Sequence, residues 1–266
     1  MTSIVGIGYG NMGDDATLGG TGWSLTKPVT NLQDRELAVY AETTGTNAEI
    51  LIDLGSAKSP TLFVLAAHTC EDATATITLT GGTSSGGSEV YAGSALTCWP
   101  FAPLDDDYDG SHFPLIVYTP SAGSARYWTL NIAGSASMRF GRLLVQRVLV
   151  PEFSPEFGKI SDGWMESFSS VDRAGNGADQ VWSRRPLRSV ALEYTGMTQI
   201  QGSLLHEIQR THGITSEVTY LADTVDRAKQ QQFSFVGLMR KLGPLENPFY
   251  RRNSAAIAID ERGGAP

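Results

Sequence analysis

The chain has 266 residues, a formal net charge of −8 at pH 7, 41% hydrophobic and 18% charged residues. An acidic balance of this size excludes a basic nucleic-acid binder at whole-chain level. No run approaches the ~18 consecutive apolar residues of a membrane-spanning helix, and the opening MTSIVGIGYGNMG lacks the charged and long apolar segments of a secretory signal.

The charge is uneven. Residues 1–142 hold 6 Lys/Arg against 14 Asp/Glu, and residues 143–266 hold 14 of each. All the net charge lies in the first half, which predicts two regions with a boundary near residue 145.

Residues 1–22 are mostly Gly, small polar residues and Asp. So little apolar surface predicts an arm that orders only against a partner. Within it, Gly8-Tyr9-Gly10-Asn11-Met12-Gly13 matches the spacing of a dinucleotide-binding turn. That chemistry needs a helix opening at the last glycine, so that its N–H groups meet pyrophosphate. Asp14 and Asp15 stand there instead, followed by a stretch with no amphipathic helix. A nucleotide cofactor is therefore not expected.

Residues 23–149 read as short strands between turn clusters: Ala48–Leu54, Thr61–Ala67, Ala75–Leu79, Pro114–Tyr118, Tyr127–Ile132 and Arg139–Val150. Alternation, β-branched and aromatic enrichment and Gly/Ser/Thr/Pro breaks predict an antiparallel β-sandwich. The segment Asp105, Asp106, Asp107, Asp109, Gly110 has alternate carboxylates, as Ca²⁺ loops do. It is not an EF-hand, because the position of the bidentate Glu falls on Ile116. Asp105, Asp107 and Asp109 remain as candidates for a Ca²⁺ site of another kind; a solvated acidic loop is the alternative.

Residues 151–266 change character. Strands are expected at Trp164–Val171, Val181–Trp182, Ser189–Tyr194, Ser216–Leu221 and Gln232–Val236, with one main helix at Thr198–Thr211. There Ile200, Leu204, Leu205 and Ile208 share a face, Thr198 can cap the start and Gly213 fits the stop. This predicts a β-rich α+β domain. Arg184, Arg185 and Arg188, with Arg251 and Arg252, form small basic clusters suited to carboxylates across a subunit interface.

The four histidines, His68, His112, His206 and His212, lack metal-ligand spacing. Cys70 and Cys98 are the two cysteines, too few for a disulfide framework. No nucleophile motif appears, and no enzyme is expected.

Thr30-Asn31-Leu32, Ala48–Gly55 (AEILIDLG) and Thr61–His68 (TLFVLAAH) resemble the start of tail-associated phage proteins with a galactose-binding-like jelly roll. In that family "NL" opens the domain, one strand ends in "DLG" and the next runs into a His. The family has Asn after that His, where this sequence has Thr69. Tyr127–Ile132 and Phe140–Leu143 resemble the closing strands. Arg185–Arg188, Leu192–Tyr194 and the helix are similar to minor tail or distal-tail-like baseplate proteins of long-tailed phages.

The resemblance spans roughly residues 28–240. It implies a jelly roll at 23–149 and a ring-forming assembly domain at 151–266, in a virion protein whose partners are its own copies and other tail proteins. Such jelly rolls also bind glycans, through aromatics on loops at one end. Trp99, Phe101 and Tyr108 are the candidates for a host glycan. Neither nucleic acid nor membrane insertion is expected.

Overall fold

In the computed structural model, residues 4–70, 74–98, 113–155, 160–165, 170–173, 179–182, 186–241, 243–249 and 252–263 are described. The first half supplies β1 (Gly6–Tyr9), β2 (Thr17–Gly19), β3 (Ala41–Glu42), β4 (Asn47–Lys58), β5 (Leu62–His68), β6 (Thr76–Gly82), β7 (Tyr91–Ala92), β8 (Leu96–Thr97), β9 (Leu115–Tyr118), β10 (Ala125–Ala133) and β11 (Arg139–Leu149). There follow β12 (Ile160–Met165), β13 (Ser170–Arg173), β14 (Asp179–Trp182), β15 (Leu187–Thr198), α1 (Gln199–His212), β16 (Glu217–Leu221), α2 (Arg227–Phe233), β17 (Phe235–Lys241), β18 (Leu245–Phe249) and β19 (Arg252–Glu261). The protein is mainly β, with antiparallel sheets and one main helix.

The chain divides into two compact units. One holds residues 1–150, 218–236 and 264–266; the other holds 151–217 and 237–263. The segment 218–236 thus belongs with the first unit, not with the rest of the second half.

The first unit is a two-sheet sandwich. One sheet has the order β2-β4-β10-β6-β7, with β8 also on β6. The other runs β16-β1-β11-β5-β9, with β3 also on β11. Alternation on β4 turns Ala48, Ile50, Ile52 and Leu54 inward. Ile50, Ile52 and Leu54 share one core with Trp128, Leu130 and Ile132 of β10 and with Phe63, Leu65, Phe140 and Val145 of the opposite sheet. The rings of Phe63 and Trp128 lie 5.2 Å apart at that junction. β5 is apolar along its length because it is buried on both faces. Leu62, Val64 and Ala66 meet Ile116, Leu144, Leu221 and Val236 on the second face, so segment 218–236 roofs what a plain sandwich would leave wet.

Within residues 1–22, where an arm was expected, the described residues include a strand built into the first unit. β1 pairs with β11 through Ile7↔Leu149 and with β16 through Ile7↔Tyr220, and Val5 and Ile7 are buried. The glycines mark close approach rather than slack. A Cβ at Gly8 would stand 2.6 Å from Gln146 Oε1 and 2.7 Å from Leu62 Cδ2. Apolar content predicted disorder because it cannot register backbone pairing between two neighbours.

In the second unit the sheet order is β12-β15-β19-β17, with β18 on β19. β13 and β14 form a separate two-stranded ribbon. The strand expected at Trp164–Val171 instead falls across the end of β12 and the start of β13, which lie in different sheets. The expected strand at Gln232–Val236 is divided too: α2, capped by the Asp226 carboxylate on the Ala228 and Lys229 N–H groups, precedes β17.

α1 has the expected cap, strengthened into a capping box. Thr198 Oγ1 accepts from the Gln201 N–H, and Gln201 Oε1 accepts from the Thr198 N–H. Its buried stripe is rotated from the one expected. Gly202, Leu205, Ile208 and Gln209 face inward, while Ile200 is 81% exposed.

Candidate functional site

The Gly8–Gly13 string leads from β1 into a turn, not a helix. Asn11 organises that turn, its Oδ1 accepting from the Gly13 N–H at 3.0 Å and the Val145 N–H at 2.7 Å. The Asp14 carboxylate, where phosphate would bind in a dinucleotide site, lies 2.7 Å from Nη2 of Arg142. Arg142 is wholly buried and also donates to the Gln33 carbonyl. The turn is structural.

His68 is a buried core histidine. Its Nδ1 accepts from the Cys70 N–H at 3.1 Å and its ring lies 6.4 Å from that of Phe140. Cys70 and Cys98 are buried free thiols. Among the described residues no group of three or more His, Cys, Asp or Glu side chains could hold a metal ion, and no helix is long and apolar enough to cross a membrane.

Trp99, Phe101, Asp105, Asp107, Tyr108 and Asp109, the candidates for glycan and Ca²⁺, lie outside the described residues, as do His112, Arg184, Arg185 and Arg251. Described residues flank segment 99–112 on both sides, up to Cys98 and from Phe113. The segment leaves β8 in one sheet and leads to β9, the terminal strand of the other. The Arg227 guanidinium joins the two ends. Nε and Nη2 donate to the Thr97 carbonyl at 3.3 and 2.8 Å, and Nη1 donates to the Ile116 carbonyl at 2.8 Å. Ile116 sits on β9, so Arg227 also satisfies an acceptor on an open sheet edge. No sequence signal marks Arg227; two backbone acceptors far apart in the chain select it.

The interface arginines that are described are already paired. Arg188 is buried and its Nη2 lies 2.6 Å from Glu261 Oε1, with its own N–H donating to Oε2 at 2.8 Å. That pair holds it inside its own unit. Arg252 Nη1 donates to Glu152 Oε2 at 2.9 Å and to the Gly196 carbonyl at 2.8 Å.

The second unit instead exposes apolar side chains on open-edged strands. β12 is the terminal strand of its sheet, pairing with β15 from Ile160↔Leu192 to Met165↔Leu187. Its Trp164 is 64% exposed, and Ile160 is also exposed. On the ribbon, Trp182 is 68% exposed. Two tryptophans standing largely in water on unpaired edges are the described feature best suited to a macromolecular partner. Sequence reasoning placed both on strands, but it had no means to tell an exposed Trp from a core one.

No protein-family model matches the sequence, and comparison with curated proteins returns no relative. Solved structures similar to part of the chain include the lectin-binding domain of lectinolysin complexed with Lewis b. It is 13% identical and covers 52% of this chain and 96% of that one, with a TM-score of 0.38. A second is chitosan-binding module 1 from a chitosanase/glucanase of Paenibacillus sp. IK-5, at 12% identity, 52% and 98% coverage and a TM-score of 0.37. A third is CBM32-1 from a family 31 glycoside hydrolase of Clostridium perfringens, at 10% identity, 52% and 99% coverage and a TM-score of 0.37. Similarity at this level says nothing of what this chain binds.

Proposed function

We propose that this chain is a structural protein that assembles through its second unit. In its finer form the reading is a tail-tip or baseplate component of a long-tailed phage virion, forming a ring with its own copies and docking other tail proteins. The observation that carries assembly is the pair of open-edged elements, β12 and the β13–β14 ribbon, each bearing an exposed tryptophan. Isolated two-stranded ribbons are marginally stable in water, and an open edge is a template for a further strand. The phage assignment is supported by the order of the AEILIDLG, TLFVLAAH and YWTLNI strings. Sedimentation and negative-stain imaging of the full chain test it. Species larger than the 28.6 kDa monomer, with closed rings among them, are expected. A monomer at every soluble concentration overturns the reading.

A second reading is a glycan-binding module. The observation favouring it is Arg227, which joins Thr97 to Ile116, described residues on either side of the segment that carries Trp99, Phe101 and Tyr108. Aromatic faces suit sugar stacking. Binding on a polysaccharide array that is lost in Trp99→Ala supports it; no binding to any glycan removes it.

A further inference from the structure

Among the described residues, the second unit has two open-edged elements rather than one. β12 is paired on one side only, to β15. The ribbon pairs Ser170↔Trp182 through Arg173↔Asp179 and joins no other strand. Among the described residues, one chain therefore carries both a sheet edge paired on one side only and a strand pair with no third strand. At ~3.3 Å per residue, the six-residue β12 is long enough to receive either four-residue strand of the ribbon.

We infer that the occupant of the β12 edge is the β13–β14 ribbon of a second copy of this chain. The inference rests on the assembly reading above and names its joint. Three observations favour a second copy. Both halves of the joint are present in one polypeptide, so copies of one chain suffice. Both are four to six residues long, which matches them in reach. Both present a largely exposed tryptophan, Trp164 on β12 and Trp182 on β14, so one pairing would remove two apolar liabilities from water together. The joint is heterologous: the ribbon of one copy meets a different surface on the next. Such contacts repeat head to tail and close into a ring where the rotation allows.

Heterologous joints have a signature that self-complementary ones lack. Trp164→Lys damages the edge and leaves the ribbon intact, and Trp182→Lys does the reverse. A charge set into the line of pairing opposes strand addition. Each variant alone is expected to sediment as a monomer. Mixed, they are expected to form a 1:1 heterodimer and nothing larger, because one good edge meets one good ribbon. Ile160→Lys, on the same strand as Trp164, is expected to behave as a second edge variant and to be rescued by Trp182→Lys in the same way. Thermal midpoints equal to wild type show that lost assembly is not lost folding.

If wild type assembles and both variants assemble as it does, the joint is overturned while the assembly reading stands. If each variant is monomeric and mixing restores nothing, the ribbon-on-edge joint is likewise overturned. If wild type is monomeric throughout, the assembly reading and the joint fall together.

Discussion

Asp14 and Arg142 form an ion pair in which the arginine is wholly buried and the aspartate reaches it from the turn after β1, Oδ1 to Nη2 at 2.7 Å. This pair ties the first residues of the chain to β11. A buried guanidinium left without its carboxylate costs several kcal/mol, and the partial exposure of Asp14 moderates that. Asp14→Ala is expected to destabilise the first unit by about 2–3 kcal/mol, read as a lower denaturation midpoint with unchanged slope. Arg142→Met together with Asp14→Ala is expected to cost less than Asp14→Ala alone, since no charge is then stranded. For the same reason limited proteolysis of the intact chain should not begin within residues 4–22.

A second prediction concerns the seat of α1. A Cβ at Gly202 would lie 2.0 Å from Asn253 Nδ2 and 2.7 Å from its Cγ. An exposed Gly→Ala change in a helix gains up to about 1 kcal/mol; here overpacking opposes it. Gly202→Ala is expected to lower stability by about 1–3 kcal/mol. Gly202→Ala with Asn253→Ala is expected to recover most of that loss, giving a clear coupling in a double-mutant cycle. Additive effects would show that the helix can shift away from β19 freely.

The sandwich was legible because its strands obey simple patterns. β4 alternates, β5 is a continuous apolar run, and β10 and β11 carry large apolar residues at two-residue spacing. β1 was not legible, since its glycines serve backbone approach and hydrophobicity does not report that. The rotated face of α1 was missed for the same cause, because Gly202 counts as neutral in a periodicity and yet is the point of contact. Segment 218–236 reads as part of the second half by order and packs with the first by tertiary contact. The glycan and Ca²⁺ candidates lie outside the described residues, whereas Arg227 and the exposed Trp164 and Trp182 depend on three-dimensional placement alone.

The acid limb of stability has two identifiable contributors in the first unit. Glu89 accepts from the Thr83 hydroxyl at 2.6 Å and the Thr83 N–H at 2.7 Å, which hold its carboxyl down to about 2. Asp53 accepts from Arg126 at 2.7 and 2.8 Å and from the Gly55 N–H, and is likewise held to about 2. A depressed carboxyl stabilises the folded state fully above its unfolded range, and that contribution is lost as pH falls toward the folded value. Stability is thus expected to fall from about pH 4.5 to 2. Glu89 is exposed and Asp53 is partly so, so solvent screens them and each effect is small. Glu89→Gln and Asp53→Asn should each flatten this limb, measured by denaturation midpoints across that window. A limb of unchanged slope in the double variant would show that the bonds are not maintained in solution.

Arg227 provides the last test, because one side chain serves both an edge and a segment. Its guanidinium donates to Thr97 in one sheet and to Ile116 on the terminal strand β9 of the other. Charged hydrogen bonds contribute about 1.5–3 kcal/mol each when their loss strands a partner, and partial exposure at this site lets water replace some of them. Arg227→Ala is expected to destabilise by about 2 kcal/mol, and Arg227→Lys by nearly as much, because an ammonium cannot span both carbonyls with a planar fork. Hydrogen exchange should localise the effect to β8, β9 and α2, leaving β4 and β10 protected. If the segment between β8 and β9 takes a glycan, Arg227→Ala also weakens binding while Trp99 is intact, through loss of preorganisation. Uniform loss of protection across the sandwich would instead make Arg227 an ordinary core contact rather than a brace of this edge.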